Sequence, residues 1–256
     1  MTTRIGAKER RARLGVLHHL AGPAPSVEEA AASMVGLHSS DPTSVYLSAW
    51  ARVEGLEPAD LEDALYHRRA LVRMRGMRRT LFVVPVDLAS VMHEACTKAR
   101  VPAERRRLVR MLEEQGVVAA GRGERWLDRV ASATFEALGA RGEASARELT
   151  ADVPELGTKL SFGQGATWAA TVGVSTRVLF LLATEGLIVR ARPLGSWTSG
   201  QYRWTTIESW LGGSLVEIDH AEACAGLLAR YLRTFGPATM TDLRWWTGWS
   251  AKLTAT

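Results

Sequence analysis

Twice along this chain a group of helical patterns runs into two β-prone segments folded about glycine, and no other feature restricts the fold as much. In the first group, helical spacing covers residues 8–20 and then resumes after Ser26, after Asp41 and after Pro58. The segments Ala70-Leu71-Val72-Arg73-Met74-Arg75 and Arg79-Thr80-Leu81-Phe82-Val83-Val84-Pro85 follow on either side of Gly76. In the second group, Trp126, Val130, Ala133 and Leu138 mark one helix, Ser145 caps another, and Val178, Leu179 and Leu182 face inward from a third. Leu187-Ile188-Val189-Arg190 and Gln201-Tyr202-Arg203-Trp204-Thr205 then flank a turn from Gly195 to Gly200. Helices followed by a hairpin is the order of a winged-helix unit. The expected class is mainly α with short β-hairpin wings, the unit repeated in tandem.

Local start signals divide the chain further. Ser26-Val27-Glu28-Glu29 has the form of a capping box, a hydroxyl followed three residues on by a carboxylate, and predicts a helix that runs out near Gly36. Asp41 reads as the N-cap of the next helix, with Pro42 at the first helical position, where its missing N–H is not needed. Helices over 87–98 and 102–114 read as a connector, with Arg105, Arg106, Arg107 and Arg110 along a solvated face. Residues 153–171, rich in glycine and carrying Trp168, read as a long loop. After Asp219 a helix marked by Leu227, Leu228 and Tyr231 ends at Gly236-Pro237, and Thr239 or Thr241 starts a short one. Trp245, Trp246 and Trp249 there read as core or interface residues. The expected division is a first winged-helix unit over 1–86, a connector over 87–121, a second unit over 122–216, and the start of a third over 217–256 that has no wing.

The stretch Gly36-Leu37-His38-Ser39-Ser40-Asp41-Pro42 lies between two of these helices. It is expected to be a short joint at a helix N-terminus, where unpaired N–H groups and the positive dipole end gather. On residue types alone it is turn and cap chemistry. As a rigid joint it also presents His38 and Ser40, and candidate chemistry is placed there.

The net charge of +5, from 32 Lys+Arg against 27 Asp+Glu, suits a polyanionic partner. Arg73, Arg75, Arg78 and Arg79 all lie in the first hairpin. Charges there can block the pairing of an edge strand or contact phosphates. Cys96 and Cys224 are far apart in helical patterns and read as buried thiols, without the spacing of a disulfide framework or a zinc site. No cofactor or metal is expected. There is no apolar run of bilayer-spanning length and no signal-peptide core, so the expected location is the cytoplasm.

Taken together, Gly36-Leu37-His38-Ser39-Ser40-Asp41-Pro42, Met77-Arg78-Arg79-Thr80-Leu81-Phe82-Val83-Val84-Pro85, Glu185-Gly186-Leu187-Ile188-Val189-Arg190, Trp204 and Tyr231-Leu232-Arg233-Thr234-Phe235-Gly236-Pro237-Ala238-Thr239 with Trp245-Trp246 resemble the winged-helix DNA glycosylases of the AlkZ and YcaQ group. The resemblance spans nearly the whole chain. It implies tandem winged helices in a C-shaped arrangement, closed in the family by a C-terminal β-barrel, and an enzyme that removes alkylated purines from double-stranded DNA. In many members this protects the producer of a DNA-alkylating toxin. The family's catalytic motif is Gln-x-Gln or Gln-x-Asp just before Asp-Pro. Carried over by position, His38 takes the place of the first glutamine and Ser40 that of the second polar residue. The second departure is at the C-terminus, where the sequence stops before most of a third winged helix and the barrel.

On this reading the arginines of the first hairpin contact DNA, followed by Arg190, Arg192 and Arg203 on the second wing. Trp197 at that wing's tip either presses into a groove or packs on its own wing. The expected partner is a duplex containing alkylated purines, bound by a monomer. The competing reading is a non-enzymatic winged-helix DNA-binding protein, a regulator or a lesion-shielding factor. Two dissimilar winged helices in one chain argue against an ordinary regulator, which reads a palindrome as a dimer.

Overall fold

The computed structural model describes residues 5–162, 167 and 169–255. Five helices and a three-stranded sheet make up the N-terminal part. They are α1 (Ala7–Leu17), α2 (Val27–Ala32), β1 (Leu37–His38), α3 (Pro42–Trp50), α4 (Pro58–Glu62), β2 (Leu71–Arg75), β3 (Leu81–Pro85) and α5 (Ala89–Met92). Ser26 caps α2 by accepting from Glu29 N–H, and Asp41 caps α3 by accepting from the N–H groups of Thr43 and Ser44. Both caps follow the sequence expectation.

Helix α2 stops at Ala32, four residues before Gly36. Within the segment expected as a joint, Leu37 and His38 form strand β1, paired antiparallel with β3 through Leu37↔Val83 and His38↔Phe82, and the rest leads into the Asp41 cap. The sheet order is β1-β3-β2. Leu37, Val83 and Leu71 pack against Val45, Tyr46, Ala49, Leu61 and Leu65 from the helices, which forms the core on one face.

The next segment holds α6 (Val101–Glu114), α7 (Gly123–Arg141), β4 (Glu143–Ser145), α8 (Ala146–Asp152), β5 (Lys159–Phe162), β6 (Ala170–Gly173), α9 (Val174–Thr184), β7 (Ile188–Pro193), β8 (Tyr202–Thr206) and α10 (Ile207–Leu211). Its main sheet has the order β4-β8-β7, the same as the first: a short leading strand, the last strand, then the middle one. Ser145 and Glu148 form a reciprocal capping box at the start of α8. Leu108, Leu112, Leu127, Leu138, Leu149, Val178 and Leu182 share one core. Arg105 is expected on a solvated face. It instead bonds the carboxylates of Glu124, Asp128 and Glu185, joining α6 to α7 and α9. The described residues of the expected loop over 153–171 include a one-turn 3₁₀ helix, Pro154–Gly157, and strand β5, which pairs antiparallel with β6 with Lys159 opposite Gly173. Trp168 lies outside the described residues.

The chain closes with α11 (His220–Phe235), α12 (Met240–Thr247) and α13 (Ala251–Ala255). Asp219 caps α11, and Thr239 rather than Thr241 caps α12, in a box with Asp242. Trp246 stacks on Tyr231 at 4.8 Å and on Phe235 at 5.9 Å between ring centres. Trp249 Nε1–H donates to Ala95 O at 2.7 Å. Leu232 O would lie 2.3 Å from a Cβ at Gly236, so no side chain fits at the end of α11.

By its packing the chain forms two compact units. One is Met1–Cys96 with Gly195–Gly200 and Val216–Thr256, and the other is Thr97–Leu194 with Gln201–Leu215. Residues expected as a connector are therefore divided, 87–96 going to the first unit and 97–121 to the second. Those expected to open a third winged helix, 217–256, pack in the first. Among the described residues no helix is long and apolar enough to cross a membrane.

Candidate active site

Antiparallel pairing determines which side chains of the first sheet share a face. His38 lies opposite Phe82, and Ser39 N–H donates to Leu81 O at 2.8 Å, continuing the ladder one residue past β1. Alternation therefore sends His38 and Ser40 to one side and Leu37 and Ser39 to the other. Burial follows this pattern: His38 and Ser40 are exposed, while Leu37 and Ser39 are buried. The His38 imidazole and the Phe82 ring meet in a T-shaped pair, 5.4 Å between centres. Ser40 Oγ accepts from Leu81 N–H at 3.4 Å, and Ser39 Oγ is enclosed with no hydrogen-bond partner among the described residues.

Two backbone features seat this strand. A Cβ at Gly36 would lie 2.6 Å from Val84 Cγ1 and 3.3 Å from Val83 O, so only glycine lets the chain approach β3. The preceding residue, Val35, is buried in the left-handed region at φ +62°, an outlier for a β-branched side chain. On the other side of the pair, Asp41 Oδ1 takes the N–H groups of Thr43 and Ser44 and the Thr43 hydroxyl. The Thr43 side chain and these N–H groups hold its carboxyl below the usual range. Asp41 is thus an ionised cap.

The four hairpin arginines have different environments. Arg73 pairs with Val83 and so points to the helix-covered face, where it is 1% exposed. The expectation that it contacts DNA is corrected: its register places it in the core of the first unit. Arg75 is half-buried, and its Nη1–H donates to Arg79 O at 2.8 Å. Arg78 and Arg79 occupy the turn between β2 and β3, both left-handed at φ +52° and +66°. Arg78 is exposed, its guanidinium carbon 4.2 Å from the centre of the Trp245 ring. Trp245 was read as a core or interface residue, yet it is 66% exposed. Its place beside Arg78 is not legible in the sequence, because only the fold brings α12 against this turn.

In the second unit, Arg190 lies over the rings of Tyr202 and Trp204 at 4.8 and 5.5 Å, and Arg192 is half-buried. Arg203 donates to Glu143 O at 2.7 Å and lies 3.6 and 3.7 Å from the Glu143 and Glu148 carboxylates. This pairing ties Arg203 to β4 and the first turn of α8. Trp197 packs on Tyr46 at 4.7 Å and on Trp50 at 5.5 Å. From the turn between β7 and β8 its ring contacts among the described residues are thus with α3 rather than with its own wing.

The fold therefore brings His38 and Ser40 together and places the arginine turn beside them, since Ser40 touches Leu81 one residue from the turn's closing Thr80. The family model for AlkZ-like DNA glycosylases matches residues 31–256. The chain belongs to that family. Among solved structures the DNA glycosylase AlkZ of Streptomyces sahachiroi is similar, with a TM-score of 0.71 and 17% sequence identity. The likeness covers 98% of this chain and 64% of that one. At that identity it establishes a shared fold, mainly α with small antiparallel sheets. A comparison with curated proteins returns no match.

Proposed function

We propose that this AlkZ-like chain is a monofunctional DNA glycosylase that hydrolyses the N-glycosidic bond of alkylated purines in double-stranded DNA. The preferred substrates are bulky N7-alkylguanine adducts of a genotoxic natural product, against which the enzyme protects its own cell. It acts as a monomer in the cytoplasm without a metal or cofactor. The observation that carries this reading is the pairing register of β1, which exposes His38 and Ser40 side by side next to an arginine turn.

An N7-alkylated guanine is cationic and leaves without further protonation. The C1′–N9 bonding pair returns to the purine and neutralises it, and the sugar passes through an oxocarbenium-like state. What the protein must supply is a placed water and a proton acceptor. Neutral imidazole at His38 takes the proton as the water oxygen bonds to C1′. Ser40 Oγ spends one lone pair on Leu81 N–H, which leaves the other for the same water and its O–H for a backbone phosphate. Phe82 buttresses the imidazole from the sheet. Arg75, Arg78 and Arg79 of the first hairpin, with Arg190 and Arg192 of the second unit, are the proposed phosphate contacts.

Incubation with a duplex carrying N7-methylguanine, followed by alkali, should yield strand breaks at the abasic site. His38→Ala should nearly abolish them while leaving duplex affinity within a few-fold. An Ala variant that releases base at the parent rate refutes the assignment of His38. Tight binding without any breaks in the parent would instead favour the non-enzymatic DNA-binding protein. The same assay on adducts of several alkylators orders the substrates.

A further inference from the structure

The turn between β2 and β3 carries two consecutive arginines in a conformation that ordinarily favours glycine. Left-handed geometry costs a residue with a Cβ roughly 1 kcal/mol or more, and such strain persists only where the surroundings fix it. Here they do. Met77 is buried beneath the turn, Thr80 N–H and its hydroxyl both donate to Met77 O, and Arg75 holds Arg79 O. The backbone is held in a shape that glycine would adopt freely, and arginine side chains are retained at both positions.

One of them, Arg78, is exposed and makes no ion pair or hydrogen bond among the described residues. What it has is an indole: its guanidinium lies over Trp245, itself two-thirds exposed. Helix α12 is firmly seated under that indole. Leu243 and Thr247 are buried, Trp246 is stacked in the Tyr231 and Phe235 cluster, and Thr239 and Asp242 close the cap. A guanidinium stacked on a ring keeps its N–H edge free and loses little freedom when it binds, which suits two-pronged contact with a phosphate.

We propose that Trp245 is a positioning residue that holds Arg78 as a preset clamp for one DNA backbone phosphate, next to the nucleotide presented to His38 and Ser40. The clamp rests on the reading of this chain as a protein that acts on duplex DNA. It assigns to Trp245 a role that the resemblance does not. The strand ladder keeps clamp and chemical pair in register, because Ser40 is fastened to Leu81 just beyond the turn.

The test is duplex affinity measured against salt for the parent, Arg78→Ala, Trp245→Ala, Trp245→Phe and the double Ala variant. Loss of one phosphate contact lowers the slope of log affinity against log salt by about 1. Arg78→Ala should show that loss, with affinity down about five- to tenfold at low salt. Trp245→Ala should reproduce most of it, Trp245→Phe should retain most of the parent behaviour, and the double variant should be no worse than Arg78→Ala. An unchanged slope in Trp245→Ala, or a double variant that loses the product of the two single effects, overturns the clamp. Base release from N7-methylguanine by the parent is scored separately. Coupled slopes without base release keep the clamp and remove the enzyme; base release with uncoupled slopes does the reverse. A parent that binds no duplex removes both.

Discussion

Three successive residues, His38, Ser39 and Ser40, illustrate how much a one-residue change of face matters. The hydroxyl of Ser39 is buried without a hydrogen-bond partner among the described residues, and an enclosed hydroxyl in that state carries a desolvation penalty of about 1–3 kcal/mol. Ser39→Ala should therefore leave stability unchanged or raise it by about 1 kcal/mol, read from denaturant midpoints, with base release at the parent rate. A Ser39→Ala variant that loses activity as His38→Ala is expected to would show that the strand register is misread. The polar run itself was evident in the sequence, but its division between two faces was not, because that depends on pairing with Phe82 and Leu81 some forty residues away. Arg73 is the same lesson with the opposite outcome. A charge in a hairpin suggests an exposed contact, yet its partner Val83 draws it onto the covered face. The exposure of Trp245 is hidden for a similar reason: nothing within α12 distinguishes it from half-buried Trp246 until the turn beside it is in place.

Elements that announce themselves locally were the legible ones. The caps at Ser26, Asp41 and Ser145 each depend on residues two or three positions apart, so the chain carries the signal regardless of its final packing. Strand β1 is two residues long and offers no alternation to detect, and the β5–β6 pairing is masked by a glycine-rich stretch. Arg105 shows what a charged helix face conceals. Its side chain is 22% exposed and bonds three carboxylates, two on α7 and that of Glu185, just past α9, at 3.1 Å. Burial pushes the Glu185 carboxyl above its usual range even with Arg105 present. Arg105→Ala leaves that carboxylate without its cation, so a loss of about 2 kcal/mol is expected at neutral pH. A group whose pKa is raised by folding favours the native state as protons are added. The loss should accordingly shrink as the pH falls through the raised Glu185 value, and equal losses at pH 8 and pH 5 would refute this account.

At the level of the molecule, the first unit is assembled from distant stretches of chain, and a buried histidine joins two of them. His18, just past α1, meets Thr234 O near the end of α11 through Nε2 at 2.9 Å, and its ring abuts Phe235. Burial lowers its pKa, opposed by the bond to Thr234 and assisted by the Arg52 charge. The neutral form with hydrogen on Nε2 satisfies this contact. Because the unfolded chain takes up a proton near pH 6.5 and the folded one resists it, stability is full above that value and declines as the pH drops below it. The thermal midpoint should fall between pH 7.5 and pH 5.5, and the decline should be smaller in His18→Gln, which keeps a donor for the carbonyl. An identical decline in both proteins would clear His18 of the effect. The division of the chain also bears on its biosynthesis. Every residue of the second unit has left the ribosome by Leu215, whereas the first unit still lacks α11, α12 and α13. The portion carrying His38 is translated early yet completed after the inserted unit, so a nascent polypeptide whose first 215 residues have emerged from the exit tunnel should already protect that unit from protease while the N-terminal stretch stays cleavable.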